Sequence, residues 1–255
     1  MKNLFRFEFH KLFRQKSFYV CSAIMVAFTI LTVILMQMVV KNTPELVESG
    51  LLTTPTTVWD IVLSMLNSAN FFLISVIFVA IYVCDDFSNG AIKNVYSHGY
   101  SKTKVFFSKL LVVLSGVMIM YVANIILSLV IGLICFSTAA APANLAGLLF
   151  GQIFLVVSYT ILAFSISICL KKLGPSIAFI ILGPIAVSLV FSLIDTALNL
   201  ETIKLVDYWL DSFNTSLGVA STSATRIVEC IIGSIIYGGA FLYAGWSVNK
   251  KLENY

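Results

Sequence analysis

The sequence predicts an all-α, polytopic membrane protein with six transmembrane helices. Hydrophobic residues make up 59% of its 255 positions and charged residues only 11%, whereas soluble domains have about 45–50% apolar and about 25% charged residues. The apolar residues form long uncharged runs and not the alternating stripes of a soluble core. A bilayer requires about 20 such residues in each spanning helix. The whole chain, residues 1–255, is therefore expected to form a single transmembrane domain.

Six apolar runs have the length of a transmembrane helix. They cover residues 18–39, 61–84, 110–136, 147–170, 175–194 and 227–248. Five contain no charged residue, and the exception, Glu229, lies close enough to a helix end to reach the headgroups. The first run exceeds the about 7–15 residues of a signal-peptide core, so it is interpreted as a retained span. The five cysteines lie in these runs and are expected to pack as small apolar side chains; a Cys135–Cys230 disulfide is left open.

The segment before the first run, residues 1–17, is predicted to be an interfacial amphipathic helix. Its apolar and basic side chains separate onto different faces, as in helices that lie in the plane of a membrane surface. The apolar face contains Leu4, Phe5, Phe9, Leu12 and Phe13, and the other face contains Arg6, His10 and Arg14. Two interpretations remain open: a basic leader that sets topology, or an elbow helix that lies on the inner leaflet and continues into the first span.

Basic residues are concentrated on one side of the predicted membrane. Of the 16 Lys and Arg residues, 13 fall before the first span, in the loops after spans two and four, or after the last span. The positive-inside rule therefore places both termini in the cytoplasm, with an even number of spans. These residues flank helix ends, where they contact anionic membrane lipids. No basic domain or motif predicts binding to nucleic acid.

The cytoplasmic loop over residues 85–109 is predicted to contain a short helix. Asn89 and Gly90 form a turn signal, and Gly99 is a helix stop. Between them, apolar residues alternate with polar ones, so a helix here would rest on the membrane and expose a polar face. Such a helix is a natural docking surface for a partner protein.

Motifs in this loop and in the N-terminal segment resemble those of a known family. An acidic pair precedes N-G-x-I-K at residues 89–93, and S-K-x-K-x-F-F-S-K follows at residues 101–109. The pattern E-F-x-K-x-x-R-x-K at residues 8–16 is similar to an elbow segment. In the order of its basic leader, six spans, loop and extended outer segment, the whole chain resembles the small bacterial permeases of type-2 ABC exporters.

The resemblance implies a coupling helix in the loop, which docks on an ATPase subunit. The docking residues would be Asn89, Gly90, Ile92, Lys93, Val95 and Tyr96. It also implies that the outer segment, residues 195–226, forms short helices that dip back toward the membrane, although an ordinary interfacial loop fits its composition equally well. The family often has Glu and Arg where this loop has Asp85, Asp86 and Lys102, which weakens any bidentate pairing by Arg.

The sequence lacks a nucleotide-binding loop. None of its 14 glycines is followed by lysine, so it contains no GxxxxGK[ST] motif. No catalytic residue, metal ligand or cofactor is expected in this chain, and the adjacent Asp85 and Asp86 are expected to be solvated. The resemblance implies instead that two ABC ATPase subunits hold ATP and Mg, that a second permease copy or a paralogue completes the pathway, and that the assembly lies in a bacterial cell membrane.

The uncharged spans bear on the mechanism of transport. An ion-coupled carrier usually has ionisable residues at mid-membrane depth, and the predicted spans have none there. This favours an ATP-driven exporter over an ion-coupled transporter or channel, and a non-transporting immunity or scaffold protein is a third possibility. The permeases resembled here export bacitracin, lantibiotics or phenol-soluble modulins, which implies an amphipathic peptide, antimicrobial or lipid-like substrate.

Polar side chains within the spans are candidates for the substrate pathway. Asn67 and Asn70 are three residues apart and are expected to share a helix face, and Asn124 lies in the third span. Bonding to a neighbouring helix is the alternative for each of them, because an unpaired amide is costly in hydrocarbon. Pro184 is expected to kink span five, either as a hinge for alternating access or as a fixed bend.

Overall fold

A computed structural model describes residues 2–42, 57–97, 99–136, 140–198 and 204–251, without the side chains of residues 2, 3, 93 and 94. Helices account for 88% of the structure, and the described ranges contain no β-strand. Six helical segments are long and apolar enough to cross a membrane. The predicted fold class is therefore confirmed.

Ten α-helices follow one another in the described ranges. They are α1 (Lys2–Arg14), α2 (Lys16–Asn42), α3 (Val58–Leu66), α4 (Ala69–Ser88), α5 (Ala91–Ser97), α6 (Lys102–Cys135), α7 (Leu145–Leu170), α8 (Leu173–Ala197), α9 (Leu210–Leu217) and α10 (Ala224–Lys251). A 3₁₀ turn, Leu205–Tyr208, precedes α9. The candidate spans are α2, α3 with α4, α6, α7, α8 and α10.

Helix α7 is the centre of the bundle and packs most closely against α10. Small residues make this approach possible: a Cβ added at Gly238 would lie 3.0 Å from the Ser158 hydroxyl. The Ser158 hydroxyl donates to the Ser234 carbonyl at 2.5 Å, and the Ser165 hydroxyl donates to the Phe241 carbonyl at 2.8 Å. Close backbone approach with hydroxyl bonds is typical of helix pairs in membranes. Most of α2 and α8, in contrast, is exposed at the periphery.

A row of small and polar residues on α6 is also used for packing. Gly116 faces Leu12 and Phe78, each 3.2 Å from an added Cβ. Asn124 is buried, where it accepts from the Thr29 hydroxyl at 2.9 Å and donates to the Met65 carbonyl at 3.4 Å. Its amide is therefore bonded to neighbouring helices.

Span two is interrupted about one third of the way along from its N-terminal end. Helix α3 ends at Leu66, and α4 begins at Ala69 with Ser68 as its N-cap. The Ser68 hydroxyl accepts from the Phe71 N–H at 3.3 Å, which starts a new helix because it satisfies a first-turn donor. The expectation that Asn67 and Asn70 share one helix face is wrong for this reason.

The segment before α10 re-enters the bundle. Leu210, Phe213 and Leu217 of α9 are buried in a hydrophobic core shared with α7. The Trp209 indole N–H donates to the Pro184 carbonyl at 3.1 Å, and its ring lies 5.2 Å from that of Tyr237. Pro184 lies near the middle of α8, and Tyr237 lies near the middle of α10. The described part of this segment therefore packs between the helices of the bundle.

Candidate functional site

One end of the bundle gathers most of the basic residues, and we call it the basic end. It consists of α1, the end of α4, α5, the start of α6, the Lys171–Lys172 turn between α7 and α8, and the end of α10. A cavity of about 880 Å³ joins several of these elements and is lined by Asp85, Tyr96, Lys171 and Asn249, among others.

Four charged side chains meet inside the basic end, and we call them the charge cluster: Glu8, Lys11, Asp86 and Lys109. Asp86 is buried and forms ion pairs with both Lys11 and Lys109. The Lys109 ammonium also lies 3.8 Å from the Glu8 carboxylate. The cluster joins α1, α4 and α6 and carries two charges of each sign.

Burial makes the charge cluster sensitive to the loss of any member. Glu8, Asp86 and Lys109 are each no more than 3% exposed, and a buried charge is costly unless it is paired and hydrogen-bonded. Burial lowers the pKa of Lys11, whereas the negative charges of Glu8 and Asp85 oppose this shift. Removing one member would therefore leave an opposite charge buried without its partner.

The charge cluster corrects two expectations from the sequence. Asp85 is exposed as expected, but its neighbour Asp86 is buried. Lys11 and Lys109, which the sequence marks only as topology determinants, are its ion-pair partners. The sequence did contain one indication of a buried charge. Glu8 lies between Leu4 and Leu12 at a spacing of four residues, on the face of α1 that is buried.

The short helix α5 lies beside this cluster. It is preceded by Gly90 and followed by Gly99, whose φ values of +66° and +79° suit glycine; the predicted turn and helix stop are therefore present. Ile92 and Val95 line a cavity of about 420 Å³ whose other walls include the charge cluster. Helix α5 thus shares a cavity with the charged side chains of α1, α4 and α6.

The remaining predicted docking residues lie in α5 or just before it. Asn89 is exposed and donates to the Asp85 carboxylate at 3.0 Å. Tyr96 is half-buried beside the larger cavity, and the side chain of Lys93 lies outside the described residues.

A family model described as an ABC-2 family transporter protein matches residues 4–195. This range runs from α1 to two residues before the end of α8, and it therefore contains the whole charge cluster and α5. The chain belongs to the ABC-2 transporter family. No curated protein and no solved structure matches it.

Membership gives the ABC-2 permease a role as the membrane subunit of a transporter, with no catalytic site of its own. It also implies an ABC ATPase as a partner. No group of three possible metal ligands occurs in the described part of the chain. Helices α9 and α10 lie beyond the matched range.

The pathway candidates of the ABC-2 permease lie in different surroundings. Asn124 is buried in a helix contact, whereas Asn70 is exposed on α4. The Asn67 carbonyl accepts from the Asn214 amide at 3.2 Å, which ties the break in span two to α9. A Cβ at Gly218 would overlap the Asn67 side chain, so these two elements are in close contact.

The middle of the bundle contains an acidic side chain, contrary to the expectation from the sequence. The Tyr159 hydroxyl donates to the Asp211 carboxylate at 2.5 Å. Tyr159 is the fifteenth of the 26 residues of α7, about 21 Å along the helix from its first residue. Sequence analysis missed this charge because Asp211 is supplied by the re-entrant helix and not by a span.

Proposed function

We propose that this ABC-2 permease forms the translocation pathway of an ATP-driven exporter and that α5 is its coupling helix. The observation that carries this proposal is the position of α5 between two glycines and against the charge cluster. The predicted docking residues on α5 are part of this proposal, and so is the cytoplasmic location of the basic end, which agrees with the positive-inside rule.

The charge cluster supplies a physical route from α5 to the spans. Ile92 and Val95 share a cavity with Glu8, Asp86 and Lys109, so a displacement of α5 changes the surroundings of the ion pairs. The paired side chains belong to α1, α4 and α6, and these helices would move with it. ATP-driven closure of two ATPase subunits would then shift the population between two access states. ATP and Mg are held by those subunits and not by the permease.

The proposed assembly contains two permeases, either two copies or this chain with a paralogue. The exposed apolar surfaces of α2 and α8 provide area for membrane lipid and for a second permease. The proposed cargo is an amphipathic peptide, an antimicrobial or a lipid-like molecule, because the described spans offer amides and aromatic rings and few charges.

Asp211 favours one alternative, an ion-coupled carrier, because such carriers have ionisable groups at mid-membrane depth. Membership in the ABC-2 family favours ATP as the energy source. Transport into vesicles that follows an imposed ion gradient and needs no ATPase would support the carrier. A third possibility, a scaffold or immunity protein, predicts no transport under either condition.

Docking at α5 can be tested by co-purification with a candidate ABC ATPase. We expect Ile92→Asp combined with Tyr96→Asp to abolish association, because two charges replace the apolar and aromatic contacts of α5. The matched control is Leu205→Asp combined with Tyr208→Asp, which changes the same kinds of side chain at exposed positions near the re-entrant segment. Equal association of both double variants with the ATPase would contradict the docking assignment.

A further inference from the structure

A small cavity in the middle of the bundle is lined by Asp211 and otherwise mostly by apolar side chains. Its volume is about 180 Å³, and it lies between α4, α7, α8 and α9. Leu73 and Ile185 belong to its apolar wall, whereas Tyr159, Asp211 and Asn214 supply its polar groups. Leu73 and Ile185 are 42% and 51% exposed, so the cavity opens sideways between α4 and α8.

Asp211 differs in its bonding from the buried acids Glu8, Asp86 and Asp195. Glu8 and Asp86 lie near ammonium groups, and Asp195 accepts from the Leu205 and Val206 N–H groups at 2.8 and 3.0 Å. Among the described residues, Asp211 accepts one hydrogen bond, from Tyr159. Within the described ranges, no Lys, Arg or His lies within ion-pair distance of it. Its negative charge has no counter-charge from this part of the protein.

Asn214 adds a second acceptor to the same cavity. It is one turn beyond Asp211 on α9, so the two side chains share a helix face. Its amide nitrogen is bonded to the Asn67 carbonyl, whereas its Oδ1 atom is buried and has no partner in the described structure. A buried acceptor without a donor is unfavourable unless a ligand supplies one.

Aromatic faces complete the surroundings. The rings of Phe72 and Tyr159 lie 4.9 Å apart, and both residues line the cavity. Aromatic faces attract cations. A carboxylate, an amide oxygen and two rings all favour a positively charged donor and disfavour an anion.

We propose that this cavity binds a primary ammonium group carried by an amphipathic molecule, with Asp211 as its counter-charge and Asn214 as a second acceptor. The cavity of about 180 Å³ is large enough for a cationic head with a few methylene groups, since one water occupies about 30 Å³. The apolar tail would lie along α4 and α8. This inference deepens the proposed function, on which it rests for the identity of the ligand as cargo.

Direct binding to the full-length chain in phosphatidylcholine nanodiscs tests the proposal, with radiolabelled dodecylammonium as the probe. We expect saturable binding to the wild type and competition by unlabelled dodecylammonium but not by neutral N-acetyldodecylamine. The Asp211→Asn variant should bind the probe at least about tenfold more weakly, because a hydrogen bond to a charged partner is lost. Asp207→Asn, which removes an exposed charge from the same segment, should bind as the wild type does.

The result that overturns the proposal is equal binding by Asp211→Asn and the wild type, or equal competition by the neutral compound. The second comparison uses only the wild type, so it decides the matter even if Asp211→Asn fails to fold. Repeating the measurement in phosphatidylethanolamine nanodiscs identifies the source of the ammonium: retained binding supports cargo, whereas abolished binding assigns the site to lipid and overturns the cargo assignment. No ATPase is present, so failure here is distinct from failure of docking at α5.

Discussion

The hydroxyl of Tyr82 donates to the carboxylate of Glu8 at 2.9 Å and joins α4 to α1. Both side chains are buried, and the same hydroxyl lies 3.2 Å from the Glu8 backbone carbonyl. The N-terminal helix is therefore held to the bundle by a polar contact inside its apolar face. This contact also fixes the carboxylate that lies beside Lys109.

Tyr82→Phe should destabilise the protein by about 1–3 kcal/mol, because the change leaves a buried carboxylate with one donor fewer. The measurement is the thermal unfolding midpoint of the purified protein in detergent. Tyr243→Phe serves as the control, since Tyr243 is 66% exposed. Equal midpoints for the two variants would show that the Tyr82 bond contributes no stability.

Lys109→Met should be more damaging, at about 3–5 kcal/mol, because it leaves Asp86 and Glu8 with Lys11 as the remaining cation of the charge cluster. The same unfolding assay measures it. Lys104→Met removes the same charge from an exposed position five residues earlier and should change the midpoint little. A Lys109→Met midpoint as high as that of Lys104→Met would contradict a structural role for the cluster.

Gly90→Ala combined with Gly99→Ala should misplace α5 and reduce ATPase stimulation in the assembled transporter. Each alanine would carry a positive φ, at a cost of about 1–2 kcal/mol. Stimulation of the ATPase by the permease is the readout. Gly239→Ala is the control, because an added Cβ meets no atom within 4 Å there, and stimulation should stay normal. An unaffected double variant would argue against a fixed position of α5 in coupling.

Pro184→Ala tests the hinge proposed for span five. Alanine restores the missing backbone donor and should straighten and stiffen α8, so we expect a lower transport rate and weaker ATPase stimulation. Transport at the wild-type rate with unchanged stimulation would remove the hinge and leave a fixed bend. Trp209→Phe is a useful companion, since it removes the donor to the Pro184 carbonyl while keeping an aromatic ring.

The six spans were predictable because each lies in a long, mostly apolar run. The break in span two was not, since short polar residues such as Asn67 and Ser68 also occur within continuous spans, and only the cap on Phe71 shows that the helix restarts. A carboxylate on the apolar side of α1 was visible at Glu8, but its partners Tyr82 and Lys109 are 74 and 101 positions away. No pattern along the sequence indicates which lysine lies beside Glu8 in the folded protein.

The re-entrant segment was less predictable for a different reason. Its mixture of apolar and acidic residues fits a membrane surface as well as an interior. What distinguishes the two is the set of contacts that Trp209, Asp211 and Phe213 make with three separate helices. These contacts depend on how the helices are arranged in space, which periodicity along one chain does not specify.

The re-entrant segment also constrains the order in which the bundle can be packed. Trp209 packs on Tyr237, and Tyr237 belongs to α10, which is synthesised after α7, α8 and α9. Until α10 is in place, one wall of the site that receives the Trp209 ring is absent. The packing around Trp209 therefore depends on a helix that is translated later than the segment itself.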